Sequence, residues 1–418
     1  MQSRHVGTPL KTRDSKRVLV LELLSAGHHP RYVRWLLESE IGKSAELILA
    51  SRKEMFDHAE IKACSTLFTP HVMDVGPRLG ALLEKDVGAV ELFFRSWMIG
   101  DLYRKTCSLL ARIKPIDFVI VPYFDNCILG LAIPSEAFYG VPWTTITMRT
   151  EFHYGEMGVI AKQQKFSFLR RLLFNRIIRQ KSAVAVFTID PTLAEFAKKQ
   201  DNPLLHKVLY LPDPVPHYKA IPSKLEARQQ LAVPLDVRLI LLYGELSARK
   251  GIDLLLQALA DAECSRAVHV LLAGRYSEGR QITASEAFQR LLAEGRLHTI
   301  EGYLEDEQEQ QVLAAADCIW VKYCGFYGMS SIMVLSGVHG LPVIATQEGV
   351  IGYFVRKYEI GVTVDSGDRR AVVAALNRMV TEPEFFLRLG GNGKLVFERH
   401  TVPEFQQIVS QKVLQSWS

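Results

Sequence analysis

Apolar residues in this chain come in short unbroken runs and do not alternate with polar ones. In the first half the runs are RVLVLELL at 17–24, AELILA at 45–50, DFVIVPYFD at 117–125, PWTTITM at 142–148 and AVAVFTID at 183–190. Runs of this length, rich in β-branched residues, predict strands covered on both faces, as in a parallel sheet. Segments of helix length separate them, which predicts a doubly wound α/β arrangement.

The pattern then restarts, with RLILLYG at 238–244, AVHVLLAG at 267–274, LHTIEGY at 297–303, CIWVKY at 318–323, LPVIAT at 341–346 and GVTVD at 361–365. Between the two series stands LPDPVPHYKAIPSK at 211–224, whose four prolines break both helices and strand ladders. The expectation is two Rossmann-like parallel-sheet domains, 17–215 and 216–400, facing each other across a cleft. A polar tail over 1–16 precedes them and a helix-length segment over 401–418 follows. Clefts at the carboxyl ends of such strands bind nucleotides and sugars.

Composition adds bounds. With 418 residues the chain is long enough for two cores, and 48% hydrophobic against 23% charged residues is the balance of a globular protein. The net charge of +5 permits an anionic substrate or a membrane surface without calling for nucleic acid. The six cysteines form no CxxC pair and sit mostly in apolar stretches, as buried thiols of a reducing compartment do. Residues 1–16 lack the apolar core of a signal peptide, and no stretch reaches the roughly 20 apolar residues that span a bilayer. A cytoplasmic protein, at most peripherally attached to a membrane, is expected.

Candidate chemistry gathers where the strands of the second series end. In YGELSARKGIDLLLQAL at 243–259 a strand closes on Gly244, a short loop carries Arg249 and Lys250, and Gly251 precedes an amphipathic helix. Such a junction offers free backbone N–H groups, the positive end of a helix dipole and two cations, which together suit a diphosphate. The next strand closes on Gly274, followed by Arg275, and the next on Tyr303. In YCGFYGMSSIMVL, Gly325 and Gly328 allow tight turns, and Ser330 or Ser331 stands where it caps a helix or binds a ligand hydroxyl. In the first half, Gly27 and His28 follow the first strand, and Asp125 ends a later one. Asp125 reads either as orienting a ligand hydroxyl or as capping the next helix. No HxxxH, DxD or Cys/His cluster at metal-ligand spacing is present in these segments.

From Gly244 to about Val380 the chain resembles the nucleotide-sugar domain of group 1, family-4-like GT-B glycosyltransferases. The loop with Gly244, Arg249, Lys250 and Gly251, the stretch closing on GLPVIAT at 340–346, and QEGVIGYFVRKYEIGVTVD after it carry the resemblance. Weaker similarity extends through the first half. The resemblance implies a metal-independent, retaining transfer of sugar from a nucleotide-sugar to an acceptor hydroxyl, with no further cofactor. Arg249 and Lys250 would neutralise the departing diphosphate; Gly244, Gly274, Arg275, Tyr303, Gly328, Ser330 and Ser331 would hold the donor. Gly27, His28 and Asp125 would face the acceptor, a sugar, lipid-linked or small molecule, and residues 401–418 would return to the first domain.

Two departures stand out. The paired glutamates of the family fall at Tyr327 and Leu335, and the usual histidine of the first domain falls at Met148 or Arg149, the nearest histidine being His153. His153 is the candidate for that catalytic place. An epimerase or hydrolase on the same fold, or a subunit that binds nucleotide-sugar without turnover, are the other readings.

One further segment stands apart. Residues 162–181 hold seven basic and no acidic residues, interleaved with apolar ones. Its charges spread around the helical wheel, so it reads equally as a membrane-surface helix and as an apolar stripe packed on the sheet with extended arginine stems.

Overall fold

The computed structural model describes residues 15–84, 88–162, 166–216, 221–277, 279–365 and 367–417. Most of the polar tail, residues 163–165 of the basic segment and part of the proline-rich linker lie outside these. The chain forms two compact units that are not continuous in sequence. The first takes residues up to Thr150, then Phe166–Leu211, then Phe405 onward; the second takes the segment after Thr150 and Pro212–Glu404. A division into 17–215 and 216–400 therefore misplaces the stretch beginning at Glu151, which leaves the first unit and packs in the second.

In the first unit, strands β1 (Lys16–Leu21), β2 (Ala45–Ser51), β3 (Phe68–Val72), β4 (Phe118–Val121), β5 (Trp143–Thr147), β6 (Ala183–Thr188) and β7 (Val208–Tyr210) lie in the order β3-β2-β1-β4-β5-β6-β7. Every pairing is parallel. The central strands are buried on both faces, Val18, Leu19, Phe118, Val119 and Val121 having no exposed surface. Continuous apolar runs are thus what this sheet needs. Two strands escape that pattern. β3 is a half-exposed edge strand containing Pro70, and β7 is only three residues long.

The helix Ala89–Ile113 lies against Ile128–Ala132 through glycines: a Cβ on Gly100 would come within 2.6 Å of the Gly130 Cα. From the last helix, Val402–Gln415, Phe405 enters this unit's core, its ring 5.4 Å from Tyr32 and 5.9 Å from Trp35.

The second unit repeats the plan. Strands β8 (Arg238–Tyr243), β9 (Val268–Gly274), β10 (Leu297–Glu301), β11 (Cys318–Val321), β12 (Val343–Thr346) and β13 (Gly361–Val364) form a sheet ordered β10-β9-β8-β11-β12-β13. Its pairings are also parallel. At the amino edge of this sheet Asp317 accepts hydrogen bonds from Arg228 at 2.6 Å and from the Leu239 N–H at 2.7 Å, and also pairs with Lys224. The linker and the end of the unit run side by side, with the Val215 N–H donating to the His400 carbonyl at 3.0 Å.

In both sheets the strand order reverses between two neighbours, β1 and β4 in one, β8 and β11 in the other. Connections leave such a switch point in opposite directions, so the loops at the carboxyl ends diverge and a crevice opens between them. The residues that follow these four strands are where chemistry is expected.

Candidate functional site

In the second unit β8 delivers Gly244, with φ 95°, and β9 delivers Gly274, with φ 142°, both left-handed conformations that favour glycine. A Cβ on Gly274 would overlap the Gly244 carbonyl oxygen. The two loops then run together, Leu246 N–H donating to the Arg275 carbonyl at 2.8 Å and Ser277 N–H to that of Leu246 at 3.0 Å. Gly274 is thus required by this close approach of two backbones. Gly274→Ala is expected to destabilise the unit by about 2 kcal/mol, from overpacking and backbone strain, which a shift in the urea midpoint would measure.

Lys250 folds back over the end of β8. Its ammonium donates to the Tyr243 carbonyl, and its own carbonyl accepts from Trp320 Nε1 at 2.8 Å. Only 8% of the residue is exposed. Burial first, then the neighbouring Arg249 charge, lower its pKa to about 8, with Glu245 opposing. Arg249 is exposed, its guanidinium 5.7 Å from the Tyr323 ring centre, and its carbonyl accepts from the Cys324 N–H at 2.8 Å. That bond joins the loop after β8 to the loop after β11, across the switch point.

The loop after β11 contributes a residue that the sequence reading did not single out. Lys322 follows Val321 and is 1% exposed, its stem against Gly251 and its ammonium 3.0 Å from the Cys324 sulfur. A lysine closing the apolar run CIWV was the available signal. Gly325 turns the chain with φ 67°. Ser330 precedes the helix Ser331–Val338 but makes no capping bond; its hydroxyl instead lies 3.2 Å from the Tyr323 hydroxyl. The capping role expected of these serines is therefore not made by Ser330. Ser331 is exposed, Gly328 is buried, and Arg275 and Tyr303 are exposed beyond β9 and β10. Tyr327 and Leu335 are 5% and 6% exposed. The acidic residue next to this loop is Glu348, whose neighbour Gly349 packs its backbone on Tyr327.

The first unit carries a second polar cluster at its own switch point. Gly27 turns with φ 64° and leads into the helix His29–Leu37. His28 stacks on His29, ring centres 4.5 Å apart, and meets Tyr123 edge-on at 5.8 Å. His28 is exposed at the surface, and partial burial of its ring, followed by the charges of His29 and Arg149, lowers its pKa to about 3. It is a neutral imidazole at physiological pH. Behind it His29 Nδ1 lies 3.2 Å from the carboxylate of Glu22, which is 2% exposed.

Asp125 accepts from the Thr147 hydroxyl at 2.7 Å and the Met148 N–H at 2.8 Å. It braces the end of β5 and does not cap the next helix, whose cap residue is Cys127. Burial raises its pKa, opposed by those bonds and by Arg149. His28 and Asp125 are thus neighbours of Tyr123, with the Arg149 charge acting on all three, and Gly27 makes the turn just before His28. His153 is assigned to the other unit. It falls in the stretch that packs in the second unit and has no exposed surface, so a solute does not reach its imidazole in this conformation.

Residues 223–396 match the profile of glycosyl transferases group 1. The match lies within the second unit. Over 166 residues the chain is 26% identical to a lipopolysaccharide core biosynthesis glycosyltransferase of Rhizobium meliloti, covering 40% of this chain and 46% of that one. Over 171 residues it is 27% identical to a D-inositol 3-phosphate glycosyltransferase of Corynebacterium efficiens, covering 39% of each. The chain thus matches less than half the length of these curated relatives.

Solved structures resemble nearly all of it. HepE of Anabaena in complex with UDP aligns over 96% of this chain and 100% of its own, with a TM-score of 0.66 and 17% identity. Sucrose-phosphate synthase of Thermosynechococcus elongatus aligns over 96% and 99%, with a TM-score of 0.68 and 16% identity. The fold is that of the GT-B glycosyltransferases. Among the described residues no group of three His, Cys, Asp or Glu is placed to hold a metal ion, and no helix is long and apolar enough to cross a membrane.

Proposed function

We propose that this protein transfers a sugar from a nucleotide-sugar donor to an acceptor hydroxyl. The observation that carries the reading is the cationic switch point of a group 1 domain, where Gly244, Arg249, Lys250 and the buried Lys322 meet at the carboxyl ends of β8 and β11. HepE, which shares the fold, has been crystallised with UDP and with UDP-glucose. In this reading the donor diphosphate lies on the loop 244–251, and the negative charge growing on it as the glycosidic bond breaks is met by Lys250, Arg249 and backbone N–H groups. The acceptor lies on the first unit by Gly27, His28, Asp125 and Arg149, where the neutral His28 can accept a hydrogen bond from the acceptor hydroxyl.

Transfer without a metal ion and with retained anomeric configuration belongs to the same proposal. Turnover unchanged by a chelator, and a product anomer matching the donor's by NMR, are the outcomes it requires. The deciding experiment is a thermal-shift screen over nucleoside diphosphates and nucleotide-sugars. A ligand at 100 times its Kd adds about 2.7 kcal/mol of stability. No shift with any of them would remove the proposal.

The pKa of Lys250 sets a pH dependence. A bound diphosphate favours the charged ammonium, so affinity is greatest below pH 8. It falls as pH rises through about 8 and the free protein's lysine loses its proton. Each pH unit above that costs up to about tenfold in affinity, the equivalent of one pKa unit. Titration calorimetry at pH 7 and 9.5 should read the loss, with proton uptake on binding at the higher pH.

One observation favours a second reading. With Tyr327 and Leu335 both buried and neither acidic, the domain lacks the two carboxylates its family uses there. A subunit that binds nucleotide-sugar without turning it over would give the thermal shift and no product with any acceptor.

A further inference from the structure

A sugar hydroxyl taken out of water needs an acceptor for the hydrogen bond it donates. The loops at the switch point of the second unit are rich in cations and phenols. The loop after β8 brings Arg249 and Lys250, and the loop after β11 brings Lys322, Tyr323 and Tyr327. A carboxylate, that of Glu348, follows the neighbouring strand. β12 pairs in parallel with β11, Val321 opposite Ala345, so the two chains leave the sheet side by side, and Glu348 comes two residues after β12 ends.

The backbone at Glu348 is held by two other stretches of this unit. Val350 N–H donates to the Tyr327 carbonyl at 2.8 Å, and Gly349 lies so close that a Cβ on it would come within 2.7 Å of the Tyr327 Cα and carbonyl oxygen. Gly349 N–H donates at 2.7 Å to the carbonyl of Ile160, in the stretch after Thr150 that packs in this unit. Glu348 N–H itself donates to the Thr346 hydroxyl at 3.2 Å. A backbone fixed in this way pre-organises the side chain it carries.

The side chain has no structural employment to match. Glu348 stands at the N-cap of the ten-residue helix Gly349–Tyr358 yet makes no capping bond. Among the described residues its carboxylate makes no hydrogen bond and no ion pair, and the residue is half-buried. We propose that Glu348 accepts hydrogen bonds from hydroxyls of the donor's sugar and so sets which nucleotide-sugars bind. The proposal rests on the sugar-transfer reading. It gives the donor site a carboxylate from the loop after β12, where Tyr327 and Leu335 supply none.

The test is titration calorimetry of the full chain with UDP, GDP and ADP, each beside its glucose conjugate. For the base that binds, Glu348→Ala should lose about ten- to a hundredfold in affinity for the glucose conjugate, the size of a hydrogen bond to a charged group. Glu348→Gln, which keeps a neutral acceptor, should lose less. Neither variant should lose affinity for the bare diphosphate. Singly deoxygenated glucose conjugates close the cycle: at least one should bind the wild type about tenfold more weakly than the glucose conjugate does, and the alanine variant no more weakly. A glutamate that served only the positive end of its helix would lower the melting temperature on removal and leave the ratio of the two affinities unchanged. Equal loss on conjugate and diphosphate, no loss on either, or a wild type that binds the conjugate no more tightly than the diphosphate would overturn the proposal and leave the diphosphate site standing. No binding of any of the six compounds would overturn the sugar-transfer reading itself, and the proposal with it.

Discussion

Asp317→Ala is expected to destabilise the second unit by about 3–5 kcal/mol, the loss typical of removing one partner of a buried ion pair. Arg228 is only 3% exposed and keeps its bonds to the carbonyls of Ala315, Pro234, Leu235 and Val237 after the change. These carbonyls are dipoles and do not replace the lost charge. The Leu239 N–H, which opens β8 by donating to Asp317, loses its acceptor as well. For a unit of this size the melting temperature should drop by about 10 °C. Because Asp317 lies at the amino edge of the sheet, nucleoside-diphosphate affinity of the protein that remains folded should be unchanged. A loss below about 1 kcal/mol would mean that the cluster is solvent-screened and contributes as a surface pair does.

Lys250→Ala should weaken nucleoside-diphosphate binding by about ten- to a hundredfold, since a hydrogen bond to a charged group contributes roughly 1.5–3 kcal/mol. Stability should move the other way or little. The wild-type ammonium is buried at a cost, visible in its lowered pKa, and alanine removes that cost together with the bond to Tyr243. The pair of readouts separates a ligand-binding lysine from a structural one. Lys250→Met, which keeps the stem, should lose the same affinity and should also remove the decline in binding above pH 8. Unchanged affinity in a folded variant would take the loop 244–251 out of the donor site.

Much of this architecture was legible because both sheets are covered on both faces. That requirement turns interior strands into unbroken apolar runs, and eleven of the thirteen strands among the described residues were picked out in the sequence, although the edge strand Leu297–Glu301 alternates between buried and exposed positions. The two not picked out are the outer strands of the first sheet: Phe68–Val72 is half exposed and holds a proline, and Val208–Tyr210 is too short to stand out. Strand-end loops were legible too, because a glycine closing an apolar run and followed by cations is a local pattern. Gly244, Arg249 and Lys250 were found that way.

What the sequence determined alone was therefore local: the strands, their grouping into two series, and the turns that end them. What only the tertiary structure decided was which distant groups share a place and how far water is excluded from it. Lys322 matters because packing against Gly251 buries an ammonium beside a thiol. Gly274 is a glycine because two strand ends touch, and Ser330 leaves the helix end uncapped because a tyrosine hydroxyl is within reach. The burial of His153, which has no exposed surface, was likewise not legible in its local sequence. Propensity and periodicity act over a few residues along the chain, whereas burial, charge and backbone contact act through space, between residues that the sequence separates by up to a hundred positions or more.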